Sequence, residues 1–340
     1  MSTRVLAAFA LICIVAPHAR ADGPPTILVT VDNFVRAETD RAFAGIVNMD
    51  GFGKFEHSRE LTAIHRQVVP RQNRDTLYSP AVFDLDAGPV TVTLPDAGQR
   101  FMTMIAIDED HYVHSVVYGL GTYTYSRNQL DTRYALIAIR MLVNPANPKD
   151  VAAVHALQDA VIVEQKSPGT FEVPNWDPIT QKKVRDALIT LGETMPDLRN
   201  AFGAKGQVDP IRHLIGTATT WGGNPDKDAI YLNVTPAEND GATVHKVIVE
   251  EVPVDGFWSI SVYNAEGYFE KNALNAYSLN NITAKKSKDG SVAVQFGGCD
   301  GKMPNCLPIT KGWNYMVRLY RPREEILNGS WRFPEARPVG

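Results

Sequence analysis

Apolar side chains alternate with polar ones in a strict period of two at four separated places, and nothing else in the chain constrains its fold as tightly. Val90, Val92 and Leu94 alternate with Thr91 and Thr93. Trp258, Ile260 and Val262 face one way, against Phe257, Ser259, Ser261 and Tyr263 on the other. Val292, Val294 and Phe296 repeat the pattern, as do Trp313, Tyr315, Val317 and Leu319. Such alternation places one set of side chains on a buried face and the other on a second surface, which is the signature of β-strands. Turn chemistry separates the runs, at Gly88-Pro89, Pro95–Gly98, Pro253–Gly256 and Lys288–Ser291. From Ala81 to Leu142 the spacing of strands and turns reads as an antiparallel meander.

Helical signals are fewer. Thr30 is placed to cap a helix reaching about Ile46, with Phe34, Val35, Ala42, Phe43 and Ile46 near one face. Asn147-Pro148 and Asp177-Pro178 each put a capping side chain before a proline at the first helical position. Val184, Leu188, Leu191, Met195, Leu198 and Phe202 then recur at helical spacing, with Gly192 and Pro196 expected to split the stripe in two. Gly203 to Gly206 reads as a boundary between halves.

The first 21 residues have the form of a secretory leader. Arg4 precedes an apolar core from Val5 to Ala16, and Ala19-Arg20-Ala21 is a small-x-small cleavage site. The expectation is a periplasmic or secreted protein cut after Ala21, with no membrane span left, since the apolar run is too short for one. The remaining chain, of about 320 residues, is long enough for two cores. With 34 basic against 38 acidic residues before cleavage, it lacks the basic stripe that nucleic acid requires. Cys13 would leave with the leader. Cys299 and Cys306, paired around a turn-rich spacer, are expected to form a disulfide in an oxidising compartment.

The densest polar chemistry is Arg71-Gln72-Asn73-Arg74-Asp75-Thr76-Leu77-Tyr78-Ser79-Pro80. Asn73 and Asp75 can hold a turn through their own backbone, and the same residues can wall a pocket. Asp108-Glu109-Asp110-His111-Tyr112-Val113-His114 is the nearest approach to a metal site. On a strand, however, positions 111 and 114 face opposite ways. A loop whose carboxylates pair with Arg100 or Arg140 is the alternative. His57, Arg59 and Glu60 form either an acid–base set or a local ion pair. His155 and Asp159 read as a surface pair one helical turn apart, and His213 as a core or boundary histidine. The chain has no nucleophile elbow, His-Glu-x-x-His, phosphate loop, dinucleotide fingerprint, Cys-x-x-Cys or His-x-His pair. No cofactor and no metal is assigned.

Several of these stretches together resemble a bacterial family with paired domains of unknown function 1254 and 1214. The N-terminal resemblance rests on Asn73–Ser79, Asp84–Val90 and Asp108–His111. The C-terminal resemblance rests on Asp255–Ser259, Asp289–Ser291, Asn305–Pro308, Arg318–Pro322 and Gly329–Trp331. It implies a mainly β protein with a helical connector: a β-sandwich-like domain over 22–175, a connector over 176–205 and a jelly-roll-like domain over 206–340. It implies no reaction. One departure is Cys306, which stands where the family often has tryptophan before Leu-Pro.

The functional expectation is a pocket near the domain junction that holds a polar small molecule or saccharide, with or without processing it. Asp75 and His111 are the candidate proton-transfer residues, and Arg71, Asn73, Tyr78, Trp258 and Tyr263 the candidate ligand contacts. The aromatic and hydroxyl face of the 257–263 strand suits a ligand-binding sheet and a domain interface equally. The alternatives are a non-catalytic envelope or ligand-binding module, and a metal-dependent enzyme using His111 and His114.

Overall fold

The computed structural model describes residues 25–67 and 70–339; the leader read at 1–21 lies outside them. Helix α1 spans Phe34–Val47 and buries Phe34, Ala37, Phe43 and Ile46. It starts later than the Thr30 cap implied. The Thr30 N–H donates to Asn33 Oδ1 at 2.8 Å, and residues 31–33 form a turn instead.

Strands β1 (Thr76–Asp84), β2 (Val90–Leu94), β3 (Met102–Asp108), β4 (Val113–Tyr118) and β5 (Gly121–Tyr125) follow. After a short helix α2 (Arg127–Leu130) come β6 (Tyr134–Leu142), helix α3 (Pro148–Asp159) and β7 (Ile162–Gln165). The sheets run β1-β6-β3-β4 and β5-β2-β7. Pairing is antiparallel, but the order is not the expected meander. Val90, Val92 and Leu94 are fully buried against Leu77, Phe83, Met104 and Ile139. That burial requires β2 to leave the first sheet and face it as a second layer.

Helices α4 (Pro178–Gly192) and α5 (Pro210–Thr219) lead to the second half. Asp177 accepts from Thr180 N–H, and Asp209 from Ile211 and Arg212 N–H, so both prolines sit where their missing N–H costs nothing. The apolar stripe read through Phe202 is helical only as far as Gly192; turns carry the rest. Phe34, Ala37, Leu188 and Ile215 form one buried cluster. Thus α5, which follows the boundary read at Gly203–Gly206, packs back on α1 and α4.

The second half holds β8 (Ala229–Val234), β9 (His245–Val249), β10 (Trp258–Tyr263), β11 (Ser278–Asn280), β12 (Val292–Phe296), β13 (Cys306–Leu307) and β14 (Asn314–Tyr320). A short helix α6 (Glu324–Leu327) and β15 (Arg337–Pro338), an edge strand paired with β9, complete it. Two four-stranded sheets, β11-β10-β14-β8 and β13-β12-β9-β15, enclose a core of Trp258, Ile260, Val294, Phe296, Trp313 and Val317. Eight strands in two sheets is the jelly-roll number. Each such buried side chain contributes about 1.5–3 kcal/mol. Cys299 and Cys306 are disulfide-bonded, with Sγ–Sγ 2.05 Å. The protein is mainly β with helical connectors. Among the described residues, no helix is long and apolar enough to cross a membrane.

Candidate functional site at the domain junction

Alternation along β10 and β14 decides what the junction is made of. Trp258, Ile260, Val262, Tyr315, Val317 and Leu319 point into the C-terminal core. Ser259, Ser261, Tyr263, Arg318 and Tyr320 therefore lie on the opposite face, and that face meets the N-terminal domain. Trp258, read as a ligand contact, belongs to the core and packs near Phe333. It is the partner face of its own strand that reaches the junction.

The 71–75 stretch is the other wall. Asn73 Oδ1 accepts from Asp75 N–H at 2.8 Å, closing the turn that launches β1. Its amide then donates to Tyr78 Oη and Tyr320 Oη, each at 3.1 Å. Arg71 Nη1 donates to Asn314 Oδ1 at 2.6 Å. Tyr263 Oη donates to the Gln72 carbonyl at 2.8 Å. Arg318, buried, donates to Ser261 Oγ, Tyr263 Oη and the Arg71 carbonyl at 2.8–2.9 Å. Asn280 Nδ2 donates to Asp75 Oδ1 at 3.0 Å. Turn-fixing and junction-lining are thus both performed by the same residues.

Asp75 is fully enclosed. Burial pushes its carboxyl pKa up, and Arg318, Ser259 and Asn280 only partly offset that. The Ser259 hydroxyl lies on the Asp75 side but outside hydrogen-bonding geometry. Asp75 Oδ2, Ser259 Oγ, Gln72 Oε1, Arg74 Nη1 and Asn281 Oδ1 are all buried without a partner. Unpaired buried polar atoms are costly, and several within one region mark a place arranged for something other than packing.

A second group lies beside the first. Arg140, paired in register with Tyr78 on β1, sets its guanidinium 5.3 Å from the Tyr78 ring and 5.7 Å from that of Tyr320. It donates to Tyr320 Oη at 3.3 Å and lies close to the Tyr231 phenol. Tyr231 Oη also accepts from Asn224 Nδ2 at 2.9 Å. Tyr231 and Asn224 line a small open cleft of about 160 Å³, bounded also by Arg199, Phe202 and Asp226. A second, of about 100 Å³, is lined by Tyr263 and Tyr277. Asp75 lines neither.

His111 is not part of this arrangement. Its Nε2 accepts from the Gly222 N–H at 2.8 Å, which leaves Nδ1 as the protonated nitrogen donating to Thr217 Oγ1, also at 2.8 Å. The ring stacks on Trp221 at 5.1 Å. Burial, reinforced by nearby His213, pulls its pKa down to about 3. A histidine bonded at both nitrogens has no free lone pair for a substrate proton. His114 instead pairs with Asp108, Nε2 to Oδ2 2.7 Å. Among the described residues, no three His, Cys, Asp or Glu side chains are grouped to hold a metal.

The remaining clusters have local roles. Glu109 and Asp110 pair with Arg36 of α1, not with Arg100 or Arg140. His57 Nδ1 meets Ser79 Oγ at 2.7 Å, while Arg59 ties to Asp159 and to the His155 carbonyl on α3. His213 bridges the Ala201 and Asp110 carbonyls.

The sequence reading missed Arg140, Tyr231, Arg318 and Tyr320 as junction residues. Two signals were present. Arg140 interrupts an apolar strand between Ile139 and Met141, and the inward register of Val317 and Leu319 turns Arg318 and Tyr320 outward.

Residues 52–128 match the model of DUF1254 and residues 231–324 that of DUF1214, each described as a protein of unknown function. The chain belongs to the family that pairs these two domains. The DUF1254 match contains the 71–80 stretch, and the DUF1214 match contains Tyr231, Asn280, Arg318 and Tyr320. The fold of this DUF1254–DUF1214 protein is similar to that of the VPA0106 protein from Vibrio parahaemolyticus, with TM-score 0.69 and 17% identity over 92% of this chain and 100% of that one. It is also similar to an uncharacterized protein from Burkholderia cenocepacia, with TM-score 0.52 and 12% identity over 91% and 88%. At such identities the likeness is one of fold. No curated protein gives a significant sequence match.

Proposed function

We propose that this DUF1254–DUF1214 protein is an exported, non-catalytic binding module that takes a polar small molecule or saccharide at its domain junction. The observation that carries this reading is the set of buried polar atoms without a partner, Gln72 Oε1, Arg74 Nη1 and Asn281 Oδ1, beside Asp75 Oδ2 and Ser259 Oγ, which lie toward one another across the two domains outside bonding geometry. Asn73, Tyr78 and Tyr231, only half-buried beside them, supply donors and acceptors suited to a hydroxylated ligand. Binding is favoured over processing because His111 sits in a separate hydrogen-bond network, leaving Asp75 without a proton-transfer partner. The disulfide at Cys299–Cys306 supports an oxidising, extracytoplasmic location.

The test is a thermal-shift screen of tag-free protein against sugars, carboxylates and aromatic acids. A ligand present at about 100 times its Kd adds about 2.7 kcal/mol of stability, which is easily read as a raised Tm. The shift should shrink in Asn73→Ala. A screen in which no compound moves the wild-type transition would dispose of the reading.

A further inference from the structure

We propose that the ligand's recognised group is a carboxylate and that Arg140 is the residue that receives it. This rests on the junction-binding reading above and narrows it to one chemical class.

Arg140 lies among the junction tyrosines and keeps part of its surface accessible. Its contacts Tyr78 and Tyr231 are half-buried in the same way. The guanidinium offers five N–H donors, and its hydrogen bond to Tyr320 Oη is long at 3.3 Å, with the Tyr231 phenol nearby.

Its charge has no acidic counterpart. Among the described residues, no carboxylate lies within ion-pair distance of Arg140, and the groups that act on it electrostatically are Tyr78, Tyr320 and Tyr231. The neighbouring acids have one oxygen engaged elsewhere, Asp75 with Asn280 and Asp228 with the Tyr118 hydroxyl, and neither forms an ion pair with Arg140. A guanidinium cannot shed its proton to escape burial as a lysine can. The ring faces of Tyr78 and Tyr320 and a phenol oxygen offset part of its desolvation, and an anion would complete its charge and its remaining donors.

The geometry narrows the anion. One planar fork carrying one positive charge matches one planar carboxylate, which can take two parallel N–H···O bonds. A phosphate dianion would call for a second cation. The three phenols around the fork bring hydroxyls that a carboxylate oxygen can accept from, and Tyr231 also lines the open cleft beside Asn224 and Arg199.

The experiment is calorimetric titration of the full chain with matched pairs: glucuronate and glucose, benzoate and benzamide, succinate and succinamide, with inorganic phosphate alongside. At least one acid should bind with its neutral mate weaker by roughly 10- to 100-fold, the range for a charge-assisted bond. Arg140→Lys, which keeps the charge but loses the fork, should weaken the acid about tenfold and leave the neutral mate unchanged. Tyr231→Phe, which removes one oxygen and preserves the guanidinium, is the second variant if Arg140→Lys does not fold, and should show a smaller loss of the same kind. Arg133→Lys, at the surface, should change nothing. Neutral mates binding as tightly as the acids, or phosphate binding more tightly than any of them, would overturn the carboxylate assignment while leaving the junction-binding reading intact. If no compound of either kind binds, both fall together.

Discussion

Asn280 Nδ2 donates to Asp75 Oδ1 at 3.0 Å across 205 positions of sequence, so the turn that launches the first sheet is held by the edge of a sheet in the other domain. Asp75 is thereby a structural member of the junction as well as a wall of it. Burial raises its carboxyl pKa. Replacing it with alanine should cost about 3 kcal/mol, because Asn280 and Arg318 both lose an acceptor or counter-charge. Asp75→Asn keeps the shape and avoids a buried charge, so its cost should be clearly smaller. Urea unfolding of the two variants at pH 7 makes the comparison, and equal losses would refute it.

Arg318 should be less replaceable than any other arginine of the second domain. It donates to Ser261, Tyr263 and the Arg71 carbonyl from a fully buried position. Arg318→Met would leave those acceptors unpaired and Asp75 without its nearest cation, a change of about 3–5 kcal/mol. Arg323→Met, which loses only a surface pair with Asp255, should cost less than about 1 kcal/mol. Chemical denaturation of both variants reads the contrast directly.

A pH dependence is expected from Asp40 on α1. Its Oδ2 accepts from Trp176 Nε1 at 2.7 Å while Oδ1 has no partner, and burial drives its pKa up to about 6 from 3.8. A carboxyl whose folded pKa lies above its unfolded value stabilises the fold fully below the unfolded pKa. That contribution is lost as pH rises through the folded pKa, so the window runs from about pH 4 to 6. The loss is at most about 3 kcal/mol. Asp40→Asn should flatten the stability difference across that window. Parallel curves for wild type and variant, from urea midpoints at pH 4, 5, 6 and 7.5, would contradict the assignment.

The Cys299–Cys306 bridge closes a short loop, with a sequence separation of 7. Its removal in a Cys299→Ser, Cys306→Ser pair should therefore cost only about 2 kcal/mol. The loss should be confined to the second domain, where β13 pairs with β12. Hydrogen exchange at Phe296 and Leu307 would show it.

The strand content of the fold was legible because period-two alternation needs no tertiary information. Val90–Leu94, Trp258–Tyr263 and Asn314–Tyr320 are strands on the faces their patterns indicated. What the alternation does not carry is which sheet a strand joins, and so β2 was placed in a meander that the burial of its valines rules out. Helical spacing misled at Leu191 to Phe202, because the same 3–4 rhythm can be satisfied by successive turns once Gly192 has ended the helix. At the junction, Asn73, Tyr78 and Tyr263 stood out as polar groups near turns and on a strand's open face. His111 stood out for the same reason, yet it is spent on Thr217 and Gly222, partners more than a hundred residues away that no local pattern signals. Arg140 reads in the sequence only as a partner for the 108–110 carboxylates, because its neighbours are apolar and its place at the junction arises from tyrosines on three other strands.

The most direct measurement is guanidinium NMR of protein labelled with [15N]arginine, titrated with whichever panel compound raises the Tm most. The account requires the Arg140 Nε resonance, assigned through Arg140→Lys, to move in step with saturation while that of Arg133 stays in place. Saturable binding that leaves Arg140 unmoved and shifts surface arginines instead would contradict it.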